Sequence, residues 1–271
     1  MTEDAPENEA IAADMSGEAA LGLILVRLCD ETDRQLAVFL ESDDESGPHK
    51  ARVALRRLTT ALDAFAPILR RKPAASARAA AKRIFRALGE VRDADVFLAA
   101  KGEAAGKSLT RSTAALRSRI RKQLRKEKAV AFAPALKRAY AAGELLRTGP
   151  RGLAARAAPV GGLAATALDA AWAAALAHGD DLAALPEEER HEFRKDMKTL
   201  RYLVEFFAPL WPAREWEALR GAMQDLQDEL GVLNDLANAR ARGRAGAAGD
   251  ETQALARAAL LWSQIAGAAP V

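Results

Sequence analysis

The sequence predicts an all-α fold, and three observations carry that prediction: apolar residues at helical spacing, a scarcity of aromatics, and an internal repeat. Half of the 271 residues are hydrophobic, but only 5% are aromatic. That balance, with its many alanine runs, suits close helix packing better than a β-sandwich built on Val, Ile, Thr and aromatic side chains. The length suffices for one large domain or two small ones.

Taken in order, Gly-, Pro- and Asp-rich breaker clusters fall at 42–48, 71–75, 101–107, 147–162, 179–186, 208–213 and 243–250. Between them, helical periodicity marks segments near 18–41, 49–70, 76–100 and 108–146, then 163–178, 187–207, 214–242 and 251–266. Residues 1–17 form an acidic leader, with no apolar periodicity to order it, and are expected to be disordered. Sliding the sequence along itself until His49 meets His191 also superposes Arg52 on Arg194, Leu58 on Leu200, Phe65-Ala66-Pro67 on Phe207-Ala208-Pro209, Leu88-Gly89 on Leu230-Gly231 and Asp93 on Asp235, without a gap. Duplication of a four-helix unit accounts for this. Two up-and-down bundles are expected, 18–146 and 163–266, joined by a linker at 147–162.

The net charge of +3 conceals an asymmetry. Residues 1–45 hold thirteen acids and two bases, a balance of −11, which leaves +14 on the remainder. A basic body behind an acidic front implies a polyanionic partner. The one cysteine, Cys29, excludes an internal disulfide and fits a reducing compartment. The acidic first twenty residues are unlike a signal peptide, and the apolar run at 21–28 is too short to span a bilayer. A cytoplasmic protein without a membrane partner is expected.

The basic residues are placed in rows. On the second predicted helix His49, Arg52 and Arg56 share one face, and Ala51, Leu55, Leu58, Leu62 and Phe65 share the opposite one. On the sixth, His191, Arg194, Lys198 and Arg201 repeat the basic face, opposite Phe193, Met197, Leu200, Val204 and Phe207. Cations three or four residues apart repel one another, so a counter-anion is expected there. Arg78, Lys82 and Arg86 add a row on the third helix, and Arg117, Arg121 and Arg125 add one on the fourth. Arg suits phosphate because its planar fork donates two parallel hydrogen bonds.

Other chemistries are poorly represented. There is no Gly-rich phosphate loop, Ser/His/Asp set, zinc-spaced cysteine or carboxylate cluster for Mg²⁺, so neither an enzyme nor a cofactor is expected. Arginines close to both histidines disfavour a metal ion. A nucleic acid would use the same charge, but the basic helices lack interleaved aromatics for stacking.

The runs HKARVALRRLTTALDAF (49–65), HEFRKDMKTLRYLVEFF (191–207), LGEVRDADVF (88–97) and LQDELGVLND (226–235) together resemble the CHAD family, the conserved histidine α-helical domain. The resemblance extends over about 18–266. It implies paired four-helix bundles related by a pseudo-twofold, with a basic cavity that binds inorganic polyphosphate. The stripe residues it implies are His49, Arg52, Arg56, His191, Arg194, Lys198 and Arg201, and the basic rows of the third and fourth helices add Lys82, Arg86, Arg121 and Arg125 as candidate polyphosphate ligands. It also implies association with polyphosphate granules and their proteins. One departure skews the site: Arg78, Lys82 and Arg86 correspond to Arg220, Gln224 and Asp228 in the second half, so ligand binding should lean toward the first.

Overall fold

The computed structural model describes residues 10–102, 106–241 and 248–267. Among these residues there are ten α-helices and no strand. None of the helices is long and apolar enough to cross a membrane. The chain divides into two compact units, one comprising Ser16–Ala158 and the other Pro159–Val271 together with the residues up to Met15.

The first unit contains α1 (Gly17–Glu41), α2 (Ser46–Ala64), α3 (Arg71–Lys101), α4 (Lys107–Lys126), α5 (Phe132–Ala141) and α6 (Pro150–Ala157). Ser16 opens α1 by accepting a hydrogen bond from the Ala19 N–H at 3.2 Å, which satisfies one of the four donors a helix start leaves open. Helices α1 to α4 pack in sequence and α5 returns against α1. Leu36 and Phe39 of α1, Leu55 of α2, Ile84 and Leu88 of α3 and Ile120 of α4 meet in one buried cluster. At roughly 1.5–3 kcal/mol for each large apolar side chain, this burial dominates the stability of the unit.

The second unit contains α7 (Val160–Leu176), α8 (Glu187–Phe207), α9 (Ala213–Ala241) and α10 (Ala248–Ala266), each packed on the next. Phe193 of α8 and Trp262 of α10 meet edge to face with ring centroids 4.9 Å apart. The Trp262 Nε1–H donates to the Gly179 carbonyl at 2.9 Å, fixing the turn after α7.

Four expectations change at the boundaries. The expected helix at 108–146 is two helices, because Lys128 turns the chain in the left-handed region (φ 52°). The expected linker contains α6, which starts at Pro150 because proline's fixed φ and missing N–H are tolerated at the first helical position. Pro73, assigned to a breaker, is likewise admitted into the first turn of α3. Of the leader expected to be disordered, residues 1–9 lie outside the described residues. In the remainder Ile11 is buried, and the Met15 carbonyl accepts a hydrogen bond from Val160 N–H at 2.9 Å.

Candidate functional site

In the first unit the basic face of α2 lies along α3. The Arg52 guanidinium stacks on the Phe85 ring, 4.0 Å from its centroid, and donates to the Phe85 carbonyl at 3.0 Å. It also crosses the helix backbone at Gly89, where an added Cβ would stand 2.2 Å from Nη1. Gly89 is therefore what lets the guanidinium lie flat on α3. Burial, opposed by Asp93 and reinforced by the nearby charges of Arg56 and Arg92, holds Arg52 below the usual arginine range. It is nevertheless a cation at neutral pH.

One turn further along, Arg56 approaches the same ring at 5.3 Å. Arg56, Thr59, Lys82 and Phe85 line a pocket of about 120 Å³, floored by Leu55 and Ala81. Lys82 and Arg86 are exposed, and among the described residues Arg56, Lys82 and Arg86 pair with no carboxylate. Two cations, Arg56 and Lys82, therefore line a phosphate-sized pocket with no carboxylate among its described lining residues, and Arg86 follows Lys82 one turn later on α3. Arg78, in the same row on α3, is already engaged. It donates to the Leu62 carbonyl at 3.0 Å and pairs with Asp63, and so holds the end of α2.

The α4 row is spent on structure. Arg121 donates to the Phe39 carbonyl at 2.8 Å and to the Ser42 carbonyl, and pairs with Asp43 at 2.8 Å. Arg125 donates to the Leu40 carbonyl. Arg117 pairs with Asp95 at 2.6 Å, both side chains buried, and donates to the Asp44 carbonyl at 3.1 Å. Burial pushes the Asp95 carboxyl above the usual range, and the hydrogen bond and charge of Arg117 offset this only in part. The three arginines thus cover the carbonyl end of α1, where a helix exposes unsatisfied acceptors and partial negative charge. For Arg121 and Arg125 this corrects the expectation of side chains open to a ligand.

In the second unit His191, Arg194, Lys198 and Arg201 again share one face of α8. His191 Nδ1 lies 3.3 Å from Asn234 Oδ1. His191 and Arg194 line a pocket of about 250 Å³ with Arg190, Asn234 and Arg240, but Glu187, Glu188, Glu192 and Glu251 line it too. Arg240 is held by Glu251 at 2.8 Å. Arg201 donates to Glu205 at 2.9 Å and to Gln224 at 3.1 Å, and Gln224 donates to Asp228 at 2.8 Å. Of the carboxylates that neutralise this stripe, Asp228 is matched in the first unit by Arg86, whereas Glu205 is matched by Asp63, which is taken by Arg78.

His49 is exposed in the first turn of α2. A third histidine, His178, was not singled out from the sequence. It follows α7, with Nε2 2.9 Å from Asp196 and its ring against Phe193 at 5.5 Å. Its repeat counterpart is Leu36, so duplication gave no signal for it. Among the described residues no group of three His, Cys, Asp or Glu side chains stands together to hold a metal ion.

Fold and site define a helical protein with a basic, phosphate-sized surface pocket. The CHAD domain family model matches residues 24–244, and the chain belongs to that family. The crystal structure of the CHAD domain from the plant Ricinus communis is similar to it, with a TM-score of 0.72 and 21% identity over 96% of this chain and 91% of that one. No curated protein matches the sequence.

Proposed function

We propose that this protein is a non-enzymatic binder of inorganic polyphosphate, acting through the stripes on α2 and α8. The observation that carries this reading is Arg56 and Lys82, cations lining one small pocket, with Arg86 a turn beyond on α3 and no carboxylate partner for any of the three among the described residues. Membership of a family associated with polyphosphate supports it. So does the run of cations from Arg52 and Arg56 on α2 to Lys82 and Arg86 on α3, which suits a chain of phosphates better than a single small ligand.

On this reading the two halves are duplicated bundles related by a pseudo-twofold, and each offers one stripe to the same polymer. The biological setting is cytoplasmic, at polyphosphate granules and alongside granule proteins. Affinity then comes mainly from counterions released as cations neutralise phosphates. Long chains bind more tightly than short ones, since a second stripe engages at high effective concentration.

Titration with polyphosphates of defined length tests this. Expected are a steep fall in affinity with salt, a gain from tripolyphosphate to long chains, and a loss in Arg56→Ala/Lys82→Ala. Equal affinity for both lengths at every salt concentration would refute the proposal. Displacement of long-chain polyphosphate by RNA at equal phosphate concentration would make nucleic acid the ligand instead.

A further inference from the structure

A second basic depression lies in the first unit, where the chain leaving α2 meets the chain entering α6. Leu69 and Leu146 form an isolated antiparallel bridge. It is secured by hydrogen bonds from Arg70 N–H to the Leu145 carbonyl at 2.8 Å and from Arg147 N–H to the Ile68 carbonyl at 3.0 Å. Beside it is an open depression of about 570 Å³, lined by Arg70, Arg147 and Arg151 with Thr148 and the turn around Gly149. It has three guanidiniums and one hydroxyl, and among the described residues no carboxylate lines it.

Two of these arginines are positioned. Arg147 donates from Nε to the Leu69 carbonyl at 2.9 Å, and Arg70 donates from Nη1 to the Glu144 carbonyl at 3.1 Å. A Cβ on Gly152 would stand 2.5 Å from the Arg147 Cβ, so glycine is what lets the Arg147 stem cross α6. None of the three pairs with a carboxylate among the described residues. Arg156, on the same helix as Arg151, shows the alternative: Glu18 takes it through hydrogen bonds at 2.8 and 2.9 Å. Three arginines lining one depression with no described carboxylate partner leave its potential positive, and a phosphate dianion is the chemistry that complements it.

We propose that Arg70, Arg147 and Arg151 form a phosphate site separate from the α2 and α8 stripes, which takes a phosphoryl group either as a free anion or as the end of a polyphosphate chain. The site does not depend on the stripe reading.

The test is calorimetric titration with pyrophosphate in an Arg56→Gln/Lys82→Gln background, which weakens the stripe. Expected is residual binding that falls about tenfold or more when Arg151→Glu is added and also weakens with Arg70→Gln. Arg138→Glu, the same charge change on an exposed residue of α5, should leave it within about twofold, since a remote exposed charge is screened. No residual binding, insensitivity to Arg151→Glu, or an equal loss with Arg138→Glu overturns the site. A parallel titration with long-chain polyphosphate separates the sources: a loss with both ligands marks a chain end, and a loss with pyrophosphate alone marks a free anion. Failure of the stripe reading is seen separately, as no effect of Arg56→Gln/Lys82→Gln on either ligand.

Discussion

The two stripes begin from nearly the same residues and end in different electrostatic states. Arg52 and Arg56 are matched in the repeat by Arg194 and Lys198, yet what faces them has diverged. Phe85, whose ring carries Arg52 and lies beside Arg56, is matched by Gln227, which instead donates to the Met197 carbonyl at 3.0 Å. Lys82 and Arg86 are matched by Gln224 and Asp228, which join Arg201 and Glu205 in a closed hydrogen-bond chain. Gly89 has the Arg52 guanidinium against it, whereas an added Cβ at its counterpart Gly231 would meet nothing within 4 Å. Duplication supplies two copies of a cationic face. The neighbouring helix decides whether that charge is left for a ligand or consumed inside the protein.

The sharpest way to break this comparison is to remove charge from each side in turn. Arg56→Ala/Lys82→Ala should lower long-chain polyphosphate affinity by about tenfold or more and flatten its salt dependence by nearly two units of slope. Lys198→Ala/Arg201→Ala should do markedly less. Equal losses would show that the internal carboxylates of the second stripe do not matter.

The paired glycines come next. Gly89→Ala should push the Arg52 guanidinium, the tip of a flexible side chain, off α3, and the lost stacking and hydrogen bond, about 1–2 kcal/mol, should offset the roughly 1 kcal/mol that alanine gains in a helix. Gly231→Ala, in the open interior of α9, should be neutral or stabilise by about 0.5–1 kcal/mol through helix propensity alone. Chemical denaturation of the two variants reads the difference directly.

A smaller effect should run in the opposite direction. Gln224→Lys/Asp228→Arg copies the first half onto the second and should raise polyphosphate affinity several-fold at low salt, with the gain fading as salt screens it. Unchanged affinity at low salt would place the asymmetry elsewhere than in the α3 and α9 rows.

An effect seen only at high pH concerns Cys29, whose counterpart in the repeat is Ala171. Burial pushes the Cys29 thiol up to about 12 from 9.0, the nearby Lys137 opposing it. The unfolded thiol ionises near pH 9 while the folded one keeps its proton, so ionisation favours the unfolded chain above that pH. Its contribution to stability should therefore decline as pH rises from 9 toward 12, by at most about 1.4 kcal/mol per unit. The difference between wild type and Cys29→Ala isolates that slope, and thiol reagents at neutral pH should modify Cys29 only on unfolding.

The sequence by itself determined the helical class, the position of most helices, the repeated motifs and the cationic faces of α2 and α8. These depend on local periodicity, because an apolar residue every three or four positions defines a face whatever that face meets. Tertiary structure decided what each cation does. Arg121 and Arg125 read as a binding row in sequence, but the fold brings the carbonyl end of α1 to them, and a spacing of four cannot reveal an acceptor three helices back along the chain. The value of Phe85 and Gly89 was hidden for the same reason: a ring and a missing Cβ become a platform only when α2 lies across α3. The bridge between Leu69 and Leu146 gathers Arg70, Arg147 and Arg151 from distant parts of the chain, a convergence that helical periodicity cannot encode because it arises where the helices stop.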